Sequence, residues 1–358
     1  MAHTTARDIL LVGSIGLADA EEVFRAAGSI LGDKVRRLTD GETGIARSVW
    51  IQCQTPFFLL HPQLEMVVPD PDKPGTYRAP RVPATGIYAY TAATRFVAFA
   101  RLRPGVSPTA LRFDTLGYAD WALESYEVFK RLKSAGAVPS GARFQVCIPS
   151  PRAVLQARVL PEEIAQVEPS YEAGLFREIE RIAAGVPASE LSVQWDCTEP
   201  PRYELADPQE KRAMIERLMR IGGHVPEGVE IGYHLCYGDF EHRHGREPQD
   251  TGTMVELANA ICDGVPREIG WLHMPVPRDR SDDAYFAPLR ALQLHPETRL
   301  YLGLVHYTDG VEGARQRLAA AHKVVSDFGI ATECGFGRRP KSQDIREIMR
   351  LHVQVAGL

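Results

Sequence analysis

Eight short runs of β-branched and apolar residues recur along the chain, at 9–13, 35–39, 143–148, 191–196, 229–234, 268–273, 300–305 and 329–333. Strands buried on both faces read as such near-continuous apolar stretches. Between them the period changes. Apolar residues fall three and four apart over 19–31, 170–184, 208–222, 253–262, 311–328 and 342–356, which predicts helices. Strand and helix alternating in this way predict an α/β fold, a single (β/α)8 TIM barrel, with a doubly wound open sheet as the alternative. One stretch breaks the rhythm. Residues 43–142 are rich in Pro, Thr and aromatic residues, and 96–103 followed by 111–115 reads as two strands about the turn Arg103-Pro104-Gly105. We read it as a hairpin-containing insertion after the second strand, near the barrel mouth, within one domain spanning 1–358.

Composition narrows the function classes. At 358 residues and 44% hydrophobic content the chain buries a large core, and a formal net charge of -5 without a long basic block excludes a nucleic-acid footprint. The expected partner is a small-molecule substrate, with no nucleic acid and no membrane, and a homo-oligomer is compatible with the sequence. The first residues are short and polar, and Ile9-Leu10-Leu11-Val12 is too brief for a signal core or a membrane span. A cytoplasmic, reducing location follows as an expectation, in which the six cysteines are read as ligands, nucleophiles or core filler before disulfides. Cys53, Cys147, Cys197 and Cys262 are assigned to the core.

The ends of the eight runs carry the chemistry, because active sites of this barrel sit at the C-terminal ends of its strands. In order they are Gly13-Ser14, Asp40-Gly41-Glu42, Pro149-Ser150-Pro151, Gln194 to Pro200, His234-Leu235-Cys236, His273-Met274-Pro275, His306-Tyr307 and Glu333-Cys334-Gly335. His234 and Cys236 stand two apart on a strand and so share a face. With the distant Cys334 they offer imidazole and thiolate, the donors that Zn2+ prefers, and three protein ligands leave one position for a substrate. The alternative is that these cysteines are buried as small apolar residues.

Five of these motifs, in the same order over residues 12–335, resemble the cobalamin-independent methionine synthases and the related zinc-dependent alkyl transferases. They are Val12-Gly13-Ser14, Gly41-Glu42, Gln194-Trp195-Asp196-Cys197-Thr198-Glu199-Pro200, His234-Leu235-Cys236-Tyr237 and Glu333-Cys334-Gly335. The resemblance implies that His234, Cys236 and Cys334 hold Zn2+, which lowers the pKa of a substrate thiol and presents it as a thiolate for methyl or alkyl transfer. It also implies a substrate-holding role for Ser14, Glu42 and Asp196, with Glu199 and Tyr237 inside the same motifs. Against these roles stand a helix cap for Ser14, solvated turns for Asp40 and Glu42, and an N-cap for Asp196.

The chain departs from the family at two places. It is one barrel long, without the additional N-terminal half of the two-barrel members, and the strand after His-x-Cys ends in His273 where the family has a Glu ligand. His273 is then a substitute ligand, an acid–base group, or a core histidine bonded to a backbone carbonyl. The loop 238–248 is longer than the family needs. We expect a solvated turn at His244 and leave His242 open as a lid residue or a further ligand. Arg278-Asp279-Arg280 and Arg338-Arg339 follow two strand ends and are candidates to fork onto an anionic substrate, or to pair with nearby acids. A second reading is a zinc-dependent lyase or hydrolase acting on a small polar, anionic substrate, with His273, Glu42 or Asp196 moving protons.

Overall fold

The computed structural model describes every residue except 1–6, 45–46, 48–49, 74, 84–85, 88–97, 239–243, 245 and 338–343. Eleven strands are present among the described residues: β1 Ile9–Leu10, β2 Arg37–Thr39, β3 Leu64–Pro69, β4 Tyr77–Arg78, β5 Phe99–Leu102, β6 Arg143–Pro149, β7 Leu191–Cys197, β8 Glu230–Leu235, β9 Trp271–Pro275, β10 Arg299–Val305 and β11 Gly329–Thr332. Eight of them form one parallel sheet in the order β1-β11-β10-β9-β8-β7-β6-β2. A parallel bridge from Ile9 to Val35 brings β1 beside the approach to β2 and nearly closes the ring. Helices surround the ring, giving the α/β barrel that the alternation predicts.

The helices start where local chemistry supplies caps. Asp19 accepts the amide of Glu22 at 2.8 Å and Glu22 accepts the amide of Ala18 at 2.8 Å, so Ala20–Leu31 begins with reciprocal capping and buries Val23, Phe24, Ala27 and Leu31. Asp207 caps Pro208–His224 by accepting the amides of Gln209 and Glu210.

The barrel interior is filled in layers. Near its N-terminal end, Arg37 of β2 forks onto Glu230 of β8, with Nε to Oε2 at 2.6 Å, and lies over the Trp271 ring at 5.6 Å. Gly232 makes room for that ring, since a Cβ there would lie 2.0 Å from it. Above it Gln145 and Gln194 bond to each other at 2.9 Å and to the carbonyls of Leu11 and Val12. The uppermost interior positions hold Asp196, His234 and His273, which are register partners on three neighbouring strands.

The segment between β2 and β6 differs from expectation in its pairing. It contains an antiparallel sheet in the order β4-β3-β5, with β3 and β4 as its hairpin, so β5 pairs with β3 and not with 111–115. Pro108 and the Ser107 cap turn the chain into a short 3-10 segment, and Phe113 then packs between Phe58 and Tyr171, which leaves 111–115 without a ladder. Phe96 and Val97 lie outside the described residues. The same segment also holds a helix, Tyr118–Ser134, that packs against Ala20–Leu31 and Ile164–Gly185 as a barrel helix does. Its N-terminus has no side-chain cap of its own. Glu178, a long way off in sequence, accepts the amides of Leu116 at 2.8 Å and Ala119 at 2.6 Å, so no local start signal exists to be read.

Candidate metal centre at the barrel mouth

Three donors remote in the sequence converge at the barrel mouth. The ligand-capable atoms of His234, Cys236 and Cys334 lie within 4.8 Å of one another, with His234 and Cys236 buried and Cys334 partly buried. Tetrahedral ligands about 2.0–2.3 Å from a common ion stand roughly 3.3–3.8 Å apart, so a modest contraction suffices. The amide of Cys236 donates to the carbonyl of Cys197 at 2.8 Å, which carries the β7–β8 ladder one residue past the strand. Strand alternation therefore persists through Cys236 and keeps it on the face of His234. Cys334 is brought in from β11, where the Thr332 hydroxyl donates to the Cys334 carbonyl at 2.8 Å and fixes the turn.

His273 sets the tautomer of His234. Its Nε2 lies 3.1 Å from the carbonyl of Thr332, which only accepts, so Nε2 carries the proton. Burial, with the neighbouring His234 ring, pushes the pKa of His273 well below its ordinary value. A neutral ring protonated at Nε2 has a bare Nδ1, which accepts from Nδ1–H of His234 at 2.7 Å. His234 is then left with an unprotonated Nε2, the lone pair that a metal requires. The structure thus places His273 behind the ligand set, wholly buried and bonded to a backbone carbonyl.

The other strand ends gather on the same rim with different surroundings. Asp196 is buried, accepts from Gln194 at 2.6 Å and continues β7, so an N-cap is not its role. Ser14 packs against the backbone of 335–337, and Ile15 bridges to Phe336. Glu42 holds a left-handed φ of 51° directly after Gly41 at 75°, a conformation costly for a residue with a Cβ. Asp40 is no solvated turn. It is buried, paired with Arg47 and bonded to Ser125 at 2.8 Å; burial opposes its charge, but Arg47, the Glu42 amide and Ser125 hold it below the usual carboxylate range. Glu199 is buried and accepts from Ser150 at 2.6 Å. Tyr237 is buried in the core with its ring 5.6 Å from that of His244.

Three expectations change. His244 is folded down, its side chain 12% exposed, bonding Glu333 at 2.7 Å and Glu247 at 2.9 Å. Burial opposes its charge, yet the two carboxylates raise its pKa to about 9. It is a clasp across the rim beside Cys334, and the reason it reads as a solvated turn is that both partners are remote from the His-Arg-His cluster or ordinary surface acids. Arg278 is exposed and Arg280 pairs with Asp282 at 2.8 Å, so that cluster does not converge on the centre. Cys53 is half-buried near Glu42 and not in the core, although Cys147, Cys197 and Cys262 are buried as expected. His242, Arg338 and Arg339 lie outside the described residues. All six cysteines are free thiols, and among the described residues no helix is long and apolar enough to cross a membrane.

No family model and no curated protein matches the chain. Solved structures do. A B12-independent methionine synthase from Shewanella sp. W3-18-1, in complex with selenomethionine, superposes with a TM-score of 0.58 at 12% identity, covering 99% of this chain and 97% of that one. A methyltransferase from Methanosarcina mazei gives 0.57 at 9% identity, covering 98% and 93%. At these identities the likeness establishes a shared barrel, over nearly the full length of each chain.

Proposed function

We propose that this protein is a zinc-dependent transferase that moves a methyl or alkyl group onto a substrate thiol. The observation that carries the reading is the convergence of His234, Cys236 and Cys334 within 4.8 Å at the C-terminal mouth of the barrel. The donor set fits the ion: one imidazole unprotonated at Nε2 and two sulfurs, the three-donor kind of set that a catalytic zinc takes. His234, Cys236 and Cys334 would hold the zinc, whose chemistry there would be to lower the pKa of an incoming thiol so that it attacks as a thiolate, and two thiolate ligands would favour that over water activation. The likeness to barrels described as a methionine synthase and a methyltransferase supports the same class.

The protein's own residues do the rest. His273 and the Thr332 carbonyl fix the ring of His234, as partners behind metal ligands generally do. Asp196, the register partner of His234, and Glu42, which with Asp196 acts on the buried Cys147, offer carboxylates for an ammonium group of the substrate, and Ser14 lines the junction between β1 and Cys334. His244 closes the side of the mouth next to Cys334 through Glu333.

The test pairs metal analysis of the purified protein with a cobalt-substituted form titrated with small amino-acid thiols. One equivalent of zinc, and a cobalt spectrum that shifts when thiol is added, are the expected results. A protein free of transition metal overturns the reading. Bound zinc with turnover indifferent to thiols moves the protein to the lyase or hydrolase class.

A further inference from the structure

A second feature of the mouth lies on the other side of β7. Residues Arg152, Thr198, Glu199, Arg202 and Arg217 line a cavity of about 260 Å³ between the end of β7 and the helices Pro151–Arg158, Ile164–Gly185 and Pro208–His224. Three guanidinium groups face it, and two are already neutralised. Arg217 forks onto Glu168, with Nη2 at 3.1 Å from Oε2, and Arg202 pairs with Glu210 at 3.2 Å. Arg152 makes no hydrogen bond or ion pair among the described residues, although it is half-buried; burial and the like charges of Arg202 and Arg217 work against its charge, and the more distant Glu168 and Glu199 offset them in part.

The cavity has a second unfilled valence. Glu199 is 3% exposed, and while Oε1 accepts from Ser150, its Oε2 is buried with no hydrogen-bond partner among the described residues. A buried polar atom without a partner is costly, as is a partly desolvated cation without a bonded acceptor. Burial raises the pKa of Glu199, against the opposing pull of Ser150, Arg217 and Arg152.

We propose that this cavity is an oxyanion site in which Arg152 forks onto a carboxylate or phosphate group of a ligand and Glu199 makes a second hydrogen bond to it. One group then supplies both missing partners. Arg152 gains a bidentate acceptor, and a single proton shared between Oε2 of Glu199 and a ligand oxygen, brought by the ligand or taken up from water, joins those two atoms. A cation leaves Arg152 without an acceptor, and an apolar ligand leaves both valences open. The site is distinct from the thiol-binding centre, and none of its lining residues is a metal donor. This anion contact lies behind Pro149-Ser150-Pro151, at an arginine that no sequence motif marks.

Calorimetric titration of the full-length protein with inorganic phosphate and separately with glutarate tests this, with and without prior chelation. The expected result is saturable one-to-one binding of at least one probe, unaffected by chelation. Loss of a charged fork costs about tenfold or more in affinity, so Arg152→Ala weakens binding by at least that factor. Arg152→Lys falls between, and Arg315→Ala, on an exposed helix face, binds as wild type. Tighter phosphate binding assigns a phosphorylated ligand and tighter glutarate binding a carboxylic one; either supports the proposal. Near-UV circular dichroism checks that the variants fold, which the lack of partners at Arg152 leads us to expect. Absence of binding by wild type to both probes, or wild-type affinity in a folded Arg152→Ala, overturns the site. Because the readout is anion binding with or without metal, its failure leaves the metal reading intact.

Discussion

Cys334 and His273 separate two kinds of dependence on a metal. Cys334 offers one of three donors, so Cys334→Ser replaces a soft thiolate by a hydroxyl and should reduce bound zinc to well below one equivalent by mass spectrometry, without unfolding a barrel whose core it barely enters. His273 is no donor in the cluster. Its replacement by Ala leaves three ligands but frees the ring of His234 to rotate and change tautomer. Removal of such a partner typically costs about 10–100-fold in metal affinity, so His273→Ala should still bind zinc but surrender it to a chelator that leaves the parent loaded. Equal zinc retention by both proteins would show that the Nδ1 to Nδ1 bond does not orient the ligand. His234 and Cys236 were legible in the sequence because strand alternation places i and i+2 together, and Cys334 because it follows another strand end in the motif order that the chain shares with the family it resembles. The part of His273 was not, since the choice among ligand, acid–base group and core residue turns on the Thr332 carbonyl 59 positions away.

The ends of β1 and β11 form one unit, because Ser14 lies against 335–337 with no room between. A Cβ on Gly335 would stand 2.6 Å from the Ser14 Oγ and 2.8 Å from its amide nitrogen. The hydroxyl can rotate away, but the amide belongs to the backbone, so Gly335→Ala must push the two strand ends apart. Overpacking of this kind costs about 1–3 kcal/mol, and here it also moves the neighbouring Cys334. We expect a lower midpoint in urea together with weaker zinc retention, whereas a simple surface glycine would change neither. The eight barrel strands could be read because each is a short apolar run buried on both faces, and the structure moves their limits by only a few residues. The helix Tyr118–Ser134 escaped because its cap is the remote Glu178. The pairing of β5 escaped because its partner β3 lies across a long stretch of chain from it. Local pattern reports periodicity; it does not report which distant strand or carboxylate arrives.

The barrel as a whole is tied across its interior by the Arg37–Glu230 pair, whose strands β2 and β8 are separated by β6 and β7 on the shorter way round the ring. Both groups are largely withdrawn from water. Burial works against the charge of Glu230, but the two hydrogen bonds and the attraction of Arg37 outweigh it and hold its pKa below the usual glutamate value. A carboxyl whose folded pKa is depressed binds fewer protons folded than unfolded. Its contribution is therefore complete above the unfolded value near 4.5 and is lost as pH falls through the folded one. Asp40, held down by Arg47, acts with the same sign. Glu230→Gln removes this linkage and leaves Arg37 with the Tyr301 hydroxyl at 3.2 Å and the Trp271 face, but no counter-charge. Breaking a buried pair on one side costs about 3–5 kcal/mol, so the variant should be less stable at neutral pH and lose less of what remains on acidification. Denaturant melts at pH 7 and pH 4 measure both quantities, and parallel pH dependence in the two proteins would show that the pair does not set the acid limb. Arg37→Met with Glu230→Leu, which removes both charges, should recover much of the neutral-pH loss, because the cost of the single change lies in the orphaned cation and not in the absence of the bridge.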